Sequence, residues 1–411
     1  MLPILTSTDP AAHALADRRV ARDPRLVRRV AAIVRAVQRE GDRALQRYAV
    51  RFDRLDGSFN ISADEMRAAA RTVPPAVRAA LKTAARRIRL VARAQLPRPS
   101  RVRVEQGVTI QHRVIPLARV GCYVPGGRYP LPSTLLMTAI PARVAGVRDI
   151  IAVCPKPDPI VMAAAVEAGV TRLYRLGGAH AIAALAYGTE TVPRVDKIVG
   201  PGNRYVAAAK TLVSADCPID FEAGPTELVW FSTRARPDWI ALDLIAQAEH
   251  DPDARAIFVT TNRRLAEAVR AAVVRLAPST GPAPEALARN GAIIVAPSRN
   301  DAWALIDRIA PEHLATDDDE MIRTPPSAGT VFAGPFAAPA AGDYATGSNH
   351  VLPTSGVARF RGGLHTADFV RTVAVQLISR AGIRRVAAAA VPLARIEGLQ
   401  GHANSIEARL T

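Results

Sequence analysis

From about residue 120 onward the chain alternates short apolar runs with helical stretches, and this rhythm restricts the fold more than any other feature. Ile150-Ile151-Ala152-Val153-Cys154 reads as a buried strand, followed by Pro-rich punctuation and a helix near 159–169. Arg172-Leu173-Tyr174 precedes Gly177-Gly178 and a second helix, and Lys197-Ile198-Val199 precedes Gly200-Pro201-Gly202-Asn203 and a third. Glu227 to Phe231 is a further strand, with a helix over 238–250. Ala256 to Thr260 and Ala292 to Ala296 are two more, each followed by a helical run. Such alternation implies parallel sheets with helices on their faces. The units suffice for two sheets.

The remaining segments read differently. Residues 23–50 and 63–96 place apolar side chains at helical spacing and are expected to be amphipathic helices, with Gly41-Asp42 inside the first. Over 107–122 the period changes: Val108, Ile110, His112 and Val114 alternate, and Val120 to Val124 continues in extended character. Residues 334–363 are rich in Gly, Pro, Ala and Ser yet hold Asp343, Asn349 and His350, so they read as a long ordered loop. Residues 366–411 are expected to be helical, beginning with a run from Ala367 to Arg380.

A chain of 411 residues that is 49% hydrophobic can build two or three domains. Aromatics are 5%, so Ala, Val, Leu and Ile must fill the core. No uninterrupted apolar stretch of about 20 residues occurs, so no spanning helix is expected. The first residues lack a basic region and an apolar core of the secretory kind, which makes the cytoplasm the expected location. Cys122, Cys154 and Cys217 have no CxxC spacing and read as inert thiols. The net charge of +17 raises nucleic-acid binding as a hypothesis. The excess is nearly all arginine, spread along the chain, without an RNP-like pattern, zinc finger or basic arm. A solvated helix face explains it better, and no specific nucleic-acid or membrane partner is expected.

The eight histidines are the best guide to chemistry. Gln247 and His250 lie three residues apart near a helix end, so they share one face and can meet one metal ion. A polar helix end would look the same. Glu312-His313 after Pro311 is an acid/base couple, or simply a helix start. Asp343 and His350 flank Tyr344, Gly347, Ser348 and Asn349, which form either a site or a turn cluster. Glu397 and His402 lie near the chain's end, where a polar terminus is the simpler reading. Gly126-Gly127, Gly177-Gly178 and Gly200-Pro201-Gly202-Asn203 fall at strand ends, where backbone N–H groups suit anions, but none is the GxGxxG fingerprint.

Taken together and in order, these segments resemble the histidinol dehydrogenase family. The resemblance runs through Gly41-Asp42-Arg43-Ala44-Leu45, Ala94-Gln95-Leu96-Pro97, Tyr123-Val124-Pro125-Gly126-Gly127, Gly200-Pro201-Gly202-Asn203 and Ala223-Gly224-Pro225. It continues through Gln247-Ala248-Glu249-His250, Ala310-Pro311-Glu312-His313-Leu314, Gly342-Asp343-Tyr344 and Asn349-His350-Val351-Leu352-Pro353-Thr354, and ends with Glu397-Gly398-Leu399 and His402. Each piece is modestly specific, and the ordered set is highly specific.

The resemblance implies oxidation of L-histidinol to L-histidine through histidinal, the last steps of histidine biosynthesis, with two NAD and one zinc ion per subunit. It places the zinc ligands on Gln247, His250, Asp343 and His402. His313 falls at the position of the general base, and Glu312 at that of the group activating water for the second step. Thr226, His350 and Glu397 fall at substrate positions, alongside the zinc ligands and His313; Tyr123, His180 and Asn203 fall at cofactor positions. His180 stands where the family often has Gln, and Thr226 where Ser is common. Gly121-Cys122-Tyr123 and Arg128-Tyr129-Pro130 are similar to related dehydrogenases of sulfopropanediol, which gives an alternative substrate. The implied fold has two incomplete Rossmann-like parallel-sheet domains, residues 1–122 with 227–363 and an inserted, NAD-binding 123–226. A small helical tail over 364–411 would be exchanged within a homodimer, completing shared active sites.

Overall fold

The computed structural model describes residues 2–17, 23–126, 129–222 and 224–411. Gly127, Arg128 and Ala223, which belong to motifs named above, lie outside the described residues. The first strands are β1 (Ile4–Thr6), β2 (Asn60–Ile61), β3 (Ser100–Glu105) and β4 (Val108–Pro116). Next come β5 (Arg119–Tyr123), β6 (Asp149–Val153), β7 (Arg172–Tyr174) and β8 (Lys197–Val199). The remainder are β9 (Glu227–Phe231), β10 (Arg255–Thr260), β11 (Ala292–Val295), β12 (His313–Thr316), β13 (Thr330–Ala333) and β14 (Val370–Ile378).

Two sheets carry the parallel strands, as the alternation requires. One has the order β2-β7-β6-β5-β8, parallel but for the edge strand β2. The other is all parallel, in the order β1-β11-β10-β9-β12-β13. Both are buried on both faces, and successive residues of one strand enter opposite cores. Ile150 and Ala152 join one cluster while Ile151 and Val153 join another. Trp230 and Phe258 lie on one side of the six-stranded sheet, Phe231 and Val259 on the other. This two-sided burial explains why these strands read as apolar runs rather than as alternation.

Each sheet reverses its strand order once. In the first, β6 and β7 extend to one side of β5 and β8 lies on the other. In the second, β10 and β11 extend to one side of β9 and β12 lies on the other. Crevices at such reversals are where open α/β sheets bind ligands.

Four expectations are corrected. The helix expected over 23–50 is interrupted: Pro24–Glu40 ends at Gly41, whose φ of +55° suits glycine, and Asp42–Tyr48 begins anew. Asp42 N–H donates to Glu190 at 2.7 Å, which ties this break to the first sheet's loops. The helix expected over 63–96 splits into Ala63–Thr72 and Pro75–Ala94, because Val73 before Pro74 is driven to extended backbone. The helical run from Ala367 to Arg380 is instead a short 3-10 turn, Thr366–Phe369, and then β14. Its β-branched residues pair antiparallel with β4 along its whole length, and β3 completes a third, three-stranded sheet. The helical tail starts at Arg380, as Arg380–Ile396 and Gln400–Glu407. Finally, residues 1–122 do not stay together. β1 and the Pro10–Asp17 helix join the six-stranded sheet, whereas Val30, Leu45, Met66 and Leu81 enter the cores of the five-stranded one.

Candidate active site

Glu312 and His313 enter β12, beside β9, at the strand-order reversal of the six-stranded sheet. They are therefore not a helix start. Both are buried. One carboxylate oxygen of Glu312, Oε2, accepts from the Thr226 hydroxyl at 2.5 Å and from Glu227 N–H at 2.9 Å. The Thr226 oxygen in turn accepts from the Gln247 amide nitrogen at 2.6 Å. This chain Gln247–Thr226–Glu312 leaves the Gln247 amide oxygen as an uncommitted donor atom.

Three histidines share one device. His313 Nδ1 lies 3.0 Å from the Glu227 carbonyl, His250 Nδ1 3.1 Å from that of Ala246, and His350 Nδ1 3.0 Å from that of Asp343. A carbonyl only accepts, so each Nδ1 carries a proton and each Nε2 is the ring nitrogen left for another partner. His250 Nε2 faces Asp343 Oδ2 at 3.8 Å. His350 Nε2 lies 3.4 Å from the Thr134 hydroxyl. Thr134 sits in the first turn of the Pro132–Ala145 helix, which follows β5. The site thus lies between the amino edge of the six-stranded sheet and the first helix after β5 of the five-stranded one.

Electrostatics follow from burial. Loss of solvent pushes the Glu312 carboxyl up to about 8, against the pull of its two hydrogen bonds, and neighbouring Glu227 and Asp343 add to the rise. Burial lowers His313 below its ordinary value, countered in part by Asp343 and by the Glu227 carbonyl. His350 is lowered in the same way. His313 is therefore a neutral imidazole at neutral pH, able to take a proton at Nε2.

Among the described residues no three His, Cys, Asp or Glu side chains converge as a complete metal site. Three of the candidate ligands, Gln247, His250 and Asp343, have donor chemistry that suits one metal ion. His250 Nε2 and Asp343 Oδ2 are closer together than the sum of two metal bonds of about 2.1 Å, and the Nδ1 bond to Ala246 is the outer contact that orients ligating histidines. Gln247 offers a third donor on the same helix end. Glu397 and His402 stand apart, exposed on the tail, and neither side chain bonds to the other candidate residues.

The cofactor candidates lie on the five-stranded sheet, at its carboxyl edge. Tyr123 ends β5, His180 follows the turn after β7, and Asn203 follows β8. Tyr123 and Asn203 therefore flank the reversal between β5 and β8. The glycine turns are partly filled from within. Gly177 N–H donates to Asp53 at 2.9 Å, and Gly200 N–H donates to Asp220 at 2.7 Å; Asp220 is itself paired with buried Lys210. His180 is buried, with Nε2 2.9 Å from Asp53 rather than facing open space.

Sequence reasoning passed over Asp53, Thr134 and Glu227. Asp53 lies 127 residues from its partner His180, and Thr134 opens an apolar helix that reads as pure core. Glu227 heads a strand-like run; its buried ion pair with Arg255, 2.8 Å long, spans two neighbouring strands. Only the extended reading of Glu227 to Phe231, with a strand beside it, could have hinted at that pair.

Comparison with known proteins identifies the family and the fold. The histidinol dehydrogenase family model matches residues 16–410. Histidinol dehydrogenase of Rhizobium meliloti (strain 1021) is 44% identical, over 98% of this chain and 95% of the relative. That of Gluconobacter oxydans (strain 621H) is 45% identical, over 93% of this chain and 92% of the relative. The crystal structure of histidinol dehydrogenase from Elizabethkingia anophelis superposes with a TM-score of 0.94 at 32% identity, covering 100% of this chain and 98% of that one.

Proposed function

Because the chain belongs to the histidinol dehydrogenase family, a family of oxidoreductases, we propose that it oxidises L-histidinol through histidinal to L-histidine. The observation that carries the reading is the pairing of a proton-accepting His313 Nε2 with a buried, hydrogen-bonded Glu312 at one sheet reversal. In the first half-reaction the alcohol loses a hydride and a hydroxyl proton, and His313 takes the proton. In the second, water adds to the aldehyde carbon. Glu312, once ionised, removes a proton from that water, and His313 again accepts a hydroxyl proton as the second hydride leaves. Tyr123 and Asn203 would hold NAD, which would supply the hydride acceptor for each step, two per histidinol. Gln247, His250, Asp343 and the partner subunit's His402 would hold a zinc ion, whose chemistry is to bind and orient the amine and imidazole of the substrate.

The tail supports the shared-site reading. Leu393, Ile396 and Leu399 are exposed on it, a poor arrangement for a free monomer and a suitable one for docking on a second copy. His350 and Glu397 would contact substrate, with Thr226 positioning Gln247 and Glu312. The two parallel sheets are read as the cores of two domains. Three buried, unpaired cysteines suit a reducing compartment, and the cytoplasm is the proposed location. No described helix is long and apolar enough to cross a membrane. The positive charge is read as incidental.

The test is NADH production by zinc-loaded protein supplied with L-histidinol or with dihydroxypropanesulfonate. Two NADH per histidinol, with little turnover of the sulfonate, is expected. Oxidation of the sulfonate alone would transfer the reading to another polar alcohol.

A further inference from the structure

The dinucleotide edge contains a buried acid that the proposed chemistry does not use. Asp53 ends a π-helical turn, Ala49–Asp53, and is followed by Arg54 at φ +56°. Such turns are rare and cluster at functional sites. The Asp53 side chain is 8% exposed, yet it reaches across to the turn after β7. Its Oδ2 accepts from Gly177 N–H at 2.9 Å and lies 2.9 Å from His180 Nε2. The next amide, Gly178 N–H, donates to the Tyr123 hydroxyl oxygen at 3.0 Å. Tyr123 is thereby used as an acceptor, and Gly178 leaves its own O–H proton uncommitted.

Sterics make this arrangement exacting. A Cβ on Gly177 would come within 2.8 Å of Pro155 and 3.0 Å of Asp53, and Gly178 has a φ of +58°. His180 is roofed by Tyr48 and Phe52, each with its ring centroid 6.1 Å away. Gly177 heads the Gly178–Tyr187 helix, so its N–H group is where a parallel sheet would ordinarily receive a phosphate. Here an internal carboxylate occupies that seat.

We propose that Asp53 is a positioning residue of the dinucleotide site, holding Gly177 and His180 so that Gly178 aligns the Tyr123 hydroxyl toward the cofactor. This rests on the reading of Tyr123 as a cofactor contact. The carboxylate acts through the turn and does not touch the ligand. It also stands in for the cofactor's diphosphate at this helix end, so the diphosphate must be bound elsewhere. His180 then serves as the second arm of the clamp.

The experiment compares zinc-loaded dimeric enzyme and its Asp53→Ala, Asp53→Asn and Asp53→Glu variants. NADH dissociation constants are measured by calorimetry, and KM for NAD, KM for histidinol and kcat by steady-state assay. Asp53→Ala leaves a buried amide unpaired and should weaken NADH and raise KM for NAD roughly tenfold. The kcat at saturating NAD and the KM for histidinol should stay within about twofold. Asp53→Asn keeps an acceptor for Gly177 and should recover most of the affinity. Asp53→Glu keeps the charge but displaces it, and should behave like Asp53→Ala; it decides the matter if the alanine variant does not fold. Unchanged NADH affinity in Asp53→Glu, or equal losses in NAD and histidinol parameters, would overturn the role of Asp53. If the unsubstituted enzyme binds no NADH, the cofactor reading itself falls, which the unsubstituted control alone reveals.

Discussion

The two larger sheets share their central strand order and present their candidate residues at opposite edges. Each reverses its strand order once, beside β5 in one and beside β9 in the other. In the five-stranded sheet the candidate residues sit at the carboxyl edge, where ligands of such sheets ordinarily bind. In the six-stranded sheet they sit at the amino edge: Thr226 and Glu227 begin β9, Glu312 and His313 begin β12, and Gln247 lies at the end of a helix returning to that edge. The difference reflects what each edge can supply. A carboxyl edge offers glycine turns and helix starts, which suit a cofactor held by shape and backbone. At this amino edge, strand carbonyls and paired side chains fix proton positions, as the Glu227 carbonyl does for His313.

If the amino edge performs the chemistry, its two acid/base groups should fail differently. His313→Ala should slow alcohol and aldehyde oxidation alike, by about 10²–10⁴-fold. Glu312→Gln should spare much of the alcohol step and damage the aldehyde step. Supplying histidinal directly separates the two. The pH profiles sharpen the contrast. Glu312 must be ionised to act and is pushed up to about 8, so the aldehyde step should climb as pH rises toward that value. His313 is already neutral there, because burial lowers it, so the alcohol step should stay flat over the same window. Equal loss of both steps in Glu312→Gln would contradict this division.

The metal contrast comes next in size. His250→Ala should abolish stoichiometric metal, measured by elemental analysis, while NADH affinity at the other sheet is retained. A protein that never holds metal and ignores chelators would remove Gln247, His250 and Asp343 from that role. Deleting residues 390–411 should abolish histidinol oxidation and weaken the dimer, since His402 and Glu397 would be lost together. Mixing His250→Ala with His402→Ala subunits should restore activity to about a quarter, because half the dimers are hybrids and each hybrid has one intact site. Verified subunit exchange without recovery would break the shared-site reading.

Thr226 gives a smaller effect and tests the side-chain chain itself. Thr226→Val strips the hydroxyl that joins Gln247 to Glu312, leaving both with an unmet partner, and should lower kcat/KM for histidinol by roughly tenfold. Thr226→Ser should restore it. If Val and Ser variants behave alike, the Gln247–Thr226–Glu312 chain has no functional weight.

Legibility in the sequence divides along the same line. The five-stranded sheet could be read directly, because Ile150 to Val153 is an apolar run closed by Pro-rich punctuation and Lys197 to Val199 a short run closed by Gly200-Pro201-Gly202. The helix carrying Gln247 was legible from its spacing, and it ends at Ala248, before His250. What stayed hidden depends on distant partners. β14 pairs with β4 across more than 250 residues of sequence, and its exposed Arg371, Thr372 and Gln376 blur the alternation that marks a strand. The helix break at Gly41 is hidden because helical spacing resumes at once in Asp42–Tyr48. The Asp53–His180 contact has no local pattern at all.

The smallest expected effect lies at the carboxyl edge, where one residue holds two roles that must be separated. Asn203 caps the Arg204–Val213 helix: its side-chain oxygen accepts from Tyr205 N–H at 3.0 Å and Val206 N–H at 3.2 Å. The same residue is read as a cofactor contact. Asn203→Ala removes both roles, at a cost of about 1 kcal/mol in stability and roughly 2 °C in melting temperature. Serine and aspartate cap helices about as well as asparagine. Asn203→Ser should therefore melt like the unsubstituted protein while its KM for NAD rises by about twofold to fivefold, the range set by one lost neutral hydrogen bond. Asn203→Asp should also keep the cap but place a negative charge beside an anionic cofactor, so its KM for NAD should rise further and fall back as salt screens the repulsion. If Ser and Asp variants bind NAD as the unsubstituted enzyme does, Asn203 is a helix cap only, and Tyr123 must carry the carboxyl-edge contact without it.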